Sequence, residues 1–205
     1  MEQAHRHLGP EDAGTLKALS HPLRMRLLLL VHEAGPATVG MLAERLDQPV
    51  GVVSYHMRQL ARHGMVAEVP ELARDRRERW WRLVPTESLS MTPSEFAGDP
   101  VGSVASRATM LQLIDATAER MREWVNGMHA WPPEWQDAAT LARKGPMRLT
   151  AEELSRFDRE LDDLVLRYQA LGEDHQALGE DGGDDRRPVV FFCHTEPVGP
   201  PPVSE

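Results

Sequence analysis

The stretch Thr38–Leu83, TVGMLAERLDQPVGVVSYHMRQLARHGMVAEVPELARDRRERWWRL, decides the fold. Thr38 supplies an oxygen for a helix N-cap, and Met41, Leu42 and Leu46 fall at inward positions of that helix. Asp47-Gln48-Pro49 is turn-forming. A second helix follows over about Val50–Arg62. Its inward positions are Val53, Met57 and Leu60, and Gly64 stands where a left-handed glycine closes a helix. Residues 65–69 and 79–84 read as strands around an arginine-rich loop. Helix, tight turn, helix and β-hairpin make a winged helix-turn-helix, which delivers its second helix to a DNA major groove.

Outward from this segment, helices are expected over Glu11–Leu19 and Pro22–Ala34. Pro22 stands at a first helical position, and Leu23, Leu27, Leu30 and Val31 form an apolar stripe. Residues 1–10 lack periodicity and are expected to be flexible. Thr86–Gly102 reads as a linker. A long helix over about Ser103–Met128 carries Leu111, Ile114, Ala118, Met121, Val125 and Met128 at alternating intervals of three and four. That heptad-like seam suits a dimer interface; the alternative is a stripe buried within the same chain.

Trp131-Pro132-Pro133 breaks the helix, and a short one is expected over Trp135–Ala142. Thr150-Ala151-Glu152-Glu153 is a capping box opening an acidic helix to about Leu171. Met147–Leu149 and Pro188–His194 read as strands of a small αβ element, the second of them buried. Residues 172–187 and 196–205 are expected to be flexible. The fold class is therefore mainly α with a small β-wing. A winged helix-turn-helix domain spans 11–86, and a helical dimerisation or effector region spans 103–195.

The net charge is −9, at first sight wrong for a nucleic-acid binder. Residues 1–90, however, carry 12 Arg/Lys against 11 Asp/Glu, while residues 91–205 carry 11 against 21. The acidity lies outside the helix-turn-helix, so charge does not exclude double-stranded DNA as partner. A single cysteine, Cys193, and no signal peptide suggest the cytoplasm. The longest apolar run, Leu27–Val31, cannot span a bilayer. Nucleotide-binding glycine loops, nucleophile elbows and His-Glu-x-x-His are absent, so neither an enzyme nor a cofactor is expected.

The expected DNA-contacting set follows from what such a surface needs: cations and donors for phosphates, and short polar groups for base edges. Gly51, Val52, Ser54, Tyr55, Arg58 and Gln59 fall outward on the second helix, with His56 at the margin. Arg58 suits guanine or phosphate, Gln59 adenine, and Tyr55 a thymine methyl. Gly51 and Val52 permit close approach. Thr38, at the helix start, and Gln48, in the turn, complete the set with the wing arginines Arg74, Arg76, Arg77 and Arg79.

Residues 12–84 resemble the ArsR/SmtB-type winged-helix repressors. The likeness rests on LSHPLRMRLLLL (19–30), MLAERLDQPVGVVSYHMRQLARHGMV (41–66) and RERWWRL (77–83). It is closest to the subgroup with SYHLRQL in the recognition helix and R-x-x-W-W-R in the last wing strand. LTAEEL and PVVFFCH resemble that subgroup's C-terminal region more weakly. The resemblance implies a homodimer that binds an inverted repeat and represses until an effector loosens it.

Metal sensing, for which this family is known, departs from the sequence. The stretch MLAERL lacks the cysteines a thiolate sensor needs. Asp115, Glu119 and Glu123 on the long helix lack a histidine companion, and His5 and His7 sit on the expected tail. No metal site is therefore assigned. Trp124, Trp131 and Trp135 are read mainly as core mass, with a pocket for an unknown small-molecule effector as the alternative. The expected function is a sequence-specific, dimeric repressor. The rival readings are a protein-interaction module without DNA binding and, further off, a metal-responsive repressor.

Overall fold

The computed structural model describes residues 5–74, 78–84, 88–139, 147–177, 187 and 189–197. The chain divides into two compact units, Met1–Met128 with Pro188–Glu205, and His129–Arg187. The first unit is a winged helix-turn-helix with a long helix attached. It begins with strand β1 (His5–His7), then α1 (Ala13–Leu19) and α2 (Pro22–Ala34). The His21 ring caps α2 by accepting the Leu23 amide at 3.2 Å, Pro22 opens the first turn, and Gly35 at φ +74° ends it.

Strand β2 (Ala37–Thr38) leads into α3 (Val39–Arg45), and α4 (Val50–Arg62) follows the turn. The Thr38 hydroxyl accepts the Met41 amide at 3.2 Å, the expected cap. Asp47 turns the chain at φ +49°, a conformation that Asp tolerates better than most side chains. Gly64, at φ +66°, closes α4 and directs the chain into the wing.

The wing is β3 (Val66–Glu68) and β4 (Trp80–Leu83), antiparallel with Val66 opposite Leu83 and Glu68 opposite Trp81. Strand β2 adds to the far edge of β4, so the sheet has the order β2-β4-β3. Leu16, Leu19, Leu27, Val31, Leu42, Val53, Met57, Leu60 and Trp81 share one core with Phe96, from the expected linker.

Strand β5 (Ser88–Ser90) and α5 (Pro100–Gly127) complete the unit. Helix α5 thus starts earlier than expected, because Asp99 caps it through the Val101 amide and Pro100 fits its first turn. Its buried positions are Gly102, Ser106, Thr109 and Thr117. The Thr109 hydroxyl donates to the Leu16 carbonyl at 2.8 Å, and Arg120 pairs with Glu33, so α5 is fastened to both α1 and α2. Arg26 adds a second tie to Glu119 at 3.2 Å.

Several expectations need correction. Residues 1–10 are not all outside the fold: β1 runs parallel to β5, and Leu8 is 1% exposed in the core. Arg6 pairs with Asp12 at 2.9 Å and His7 with Glu95 at 2.8 Å. A three-residue strand is too short to leave a period, so only tertiary contacts reveal it. Met41 is 50% exposed rather than inward. Among the described residues neither 147–149 nor 189–194 is a strand, in place of the expected C-terminal αβ element; Pro188 lies outside them. Val189 is 77% exposed and Cys193 is exposed; apolar composition alone did not bury that segment.

The second unit holds α6 (Pro133–Ala138) and α7 (Ala151–Ala177). Trp131 and Trp135 meet edge to face with ring centroids 6.3 Å apart. The capping box at Thr150 forms as expected: the Glu153 amide reaches the Thr150 hydroxyl at 3.2 Å, and the Glu153 carboxylate accepts the Thr150 amide at 2.8 Å. Helix α7 runs past Leu171 into the segment expected to be flexible. No described helix is long and apolar enough to cross a membrane.

Candidate nucleic-acid interface

Helix α4 buries one face and frees the other. Val53, His56, Met57 and Leu60 are buried; Val50, Gly51, Val52, Tyr55, Arg58 and Arg62 are exposed. Ser54 and Gln59 flank this strip and are half-buried, as are Gln48 in the turn and Thr38 at the α3 cap. The Arg58 Nε donates to the Ser54 carbonyl at 3.1 Å, one turn back along its own helix. That bond uses one of the five guanidinium donors and leaves the fork for a base edge or phosphate.

On the wing, Arg74 and Arg79 are exposed, while Arg76 and Arg77 lie outside the described residues. The Arg79 guanidinium is held by Glu68 of the neighbouring strand at 3.1 Å. Arg79 therefore already has an anionic partner, whereas the Arg74 backbone amide is what Glu78 accepts, at 2.8 Å.

Sequence reasoning passed over two cations. Arg82 is exposed on β4, on the opposite face from buried Trp81, and strand alternation around that tryptophan identifies it. Arg62 ends the exposed strip of α4, one helical turn beyond Arg58.

Behind the strip lies a histidine pair. The His21 and His56 rings sit 4.5 Å apart, and Tyr55 stands edge-on to His56 at 5.1 Å. The His56 Nδ1 is buried with no hydrogen-bond partner in the structure. Burial holds the His56 pKa below its usual value, and His21 and Arg24 beside it push the same way. Burial and Arg24 also lower the pKa of His21, against the opposing effect of its own backbone. Both shifts favour the neutral rings, because a charged pair would be poorly solvated and would repel.

A depressed histidine pKa means that the unfolded chain takes up protons first. The pair's contribution to stability is intact above the unfolded value of about 6.5 and falls as pH drops below it. Urea midpoints at pH 7.5 and 5.5 are expected to show this loss. His21→Asn, which keeps a capping oxygen, is expected to show a smaller one. An equal or larger loss in that variant would remove the pair as the cause.

Among the described residues no three His, Cys, Asp or Glu side chains gather in a metal-holding group. The seam of α5 lies on the open side of that helix: Leu111, Ile114, Met121 and Val125 are between 39% and 50% exposed, and Ala118 and Met128 are half-buried. The line is therefore not the one α5 packs against α1 and α2.

A family described as a helix-turn-helix domain matches residues 19–69, which cover α2, α3, α4 and the first wing strand. No curated protein matches the chain. Among solved structures the chain is similar to “Structure of Disulfide formed AbfR”, at 17% identity over 52% of this chain and 68% of that one, with a TM-score of 0.28. The chain thus carries a helix-turn-helix domain, and that domain contains the exposed strip of α4.

Proposed function

We propose that the protein is a sequence-specific DNA-binding transcriptional regulator, a homodimeric repressor of the ArsR/SmtB type that does not sense metal. The observation that carries this is the exposed strip Gly51, Val52, Tyr55 and Arg58 on the second helix of a helix-turn-helix domain. Val50, Gly51 and Val52 in its first turn are exposed, and a wing with Arg74, Arg79 and Arg82 follows in the same domain. Helix N-terminal residues read bases while the wing holds backbone.

The activity is binding alone. Arginines displace counterions from phosphates, so affinity falls steeply with salt. Two copies joined along the α5 seam present two α4 helices, which matches an inverted repeat. Repression follows from occupancy of that site, and a small-molecule effector acting through the C-terminal half would release it.

Selection of bound DNA from a random pool by the purified full chain tests this reading. An enriched inverted repeat is the expected result; no enrichment at low salt overturns it in favour of a protein-interaction module. On the enriched site, Arg58→Ala is expected to cost about 1–3 kcal/mol of binding and to relax preference at one base pair in each half-site. A fluorescence-anisotropy titration that shows unchanged affinity removes Arg58 from the reading set.

A further inference from the structure

Helix α7 carries an apolar line that regulation as described above leaves unused. Leu154, Phe157, Leu161, Leu164, Tyr168 and Leu171 recur at alternating intervals of three and four, the spacing of a coiled-coil seam. Tyr168 is 70% exposed, Leu164 and Leu171 are also exposed, and the other three are half-buried. A helix of 27 residues draws most of its stability from what it lies against rather than from propensity. An open seam of this length calls for a partner.

The charges beside the seam select the partner. Glu160 and Arg167 each stand one residue before a seam position, on the same side of the line, and both are exposed. Neither has an ion-pair partner among the described residues. Consider a second α7 placed antiparallel about a two-fold axis between Asp162 and Asp163. Leu161 then meets the partner's Leu164, Phe157 the partner's Tyr168, and Leu154 the partner's Leu171. The same axis brings Glu160 to the partner's Arg167, and symmetry repeats that ion pair. A parallel pairing instead sets Glu153 against the partner's Asp158, a repulsion occurring twice, and leaves Arg167 without an anion.

We infer that α7 is a homotypic docking element, by which two copies of this chain join through antiparallel α7 helices. The inference rests on the dimeric reading above and extends it to the second unit. The seam supplies the attraction and the Glu160–Arg167 arrangement fixes direction and register.

Sedimentation equilibrium of the full chain tests it, with circular dichroism to verify folding. Glu160→Arg and Arg167→Glu each set like charges across the axis. Each is expected to raise the dissociation constant between copies by about tenfold. The double variant E160R/R167E recreates the pair with its signs exchanged and is expected to return to the wild-type value. Single reversals without effect, or a double variant that stays weak, overturn the antiparallel α7 contact. Ile114→Glu, on α5, separates this result from the dimer itself. If that variant dissociates the protein while the α7 reversals change nothing, the dimer stands and only the α7 contact falls. A wild-type chain monomeric at every concentration overturns both.

Discussion

Ile114→Glu is expected to leave the chain folded but to raise the dimer dissociation constant by at least about 100-fold, the order expected for burying an unpaired charge. Ile114 is 46% exposed and is the second of six apolar side chains along the exposed seam of α5. On the single chain a glutamate there meets water, so thermal stability changes little. In the proposed dimer the seam would bury such a carboxylate on each copy. Operator affinity falls with it, because each copy then binds one half-site without the help of the other. Sedimentation and a DNA titration on the same sample check both effects. A variant that remains a wild-type dimer would move the interface off this seam.

The second large effect concerns the wing. Trp81→Ala is expected to destabilise the first unit by about 3–5 kcal/mol. Trp81 is 3% exposed on the central strand of the three-stranded sheet, paired with Ala37 on one side and Glu68 on the other. Its indole joins wing to core, so truncation opens a cavity where three strands meet. Trp81→Phe is expected to cost much less, because the indole Nε1 is buried without a hydrogen-bond partner and its removal relieves an uncompensated polar group. Urea denaturation followed by circular dichroism measures both. Equal losses in the two variants would mean that the nitrogen contributes and that ring volume does not decide the outcome.

Much of this fold was legible because long helices carry long periods. The bounds of α2 and α4 and the cap at Thr38 follow from stripes and capping residues within a few positions of each other. The pairing of β1 with β5 was not legible, since three residues show no alternation and the partner strand lies more than eighty residues away. Phe96 was missed for a related reason: a lone aromatic in a Ser/Pro/Gly-rich stretch looks like linker until the core is assembled around it. The apolar tail Val189–Phe192 misled in the opposite direction, because composition carries no information about what is available to cover it.

At the interface, outward positions on α4 were legible from the core-facing ones, but fine exposure was not. Ser54 and Gln59 sit at the margins, where neighbouring side chains decide access. The Arg79–Glu68 pair depends on strand register, which no single-strand pattern reveals. Nor could sequence order bring His21, ahead of α2, to the ring of His56 on α4.

The ties that fasten α5 to α1 and α2, through Thr109, Arg120 and Arg26, make a rigid arm of it. In the proposed dimer, two such arms would meet at their seams and carry one reading head each. The span between heads is then a matter of the angle at which the arms cross. The side chains of residues 111–128 would then act as the ruler for half-site spacing. On the proposed reading, operator recognition would divide accordingly: α4 would choose the letters, and α5 how far apart the two words stand.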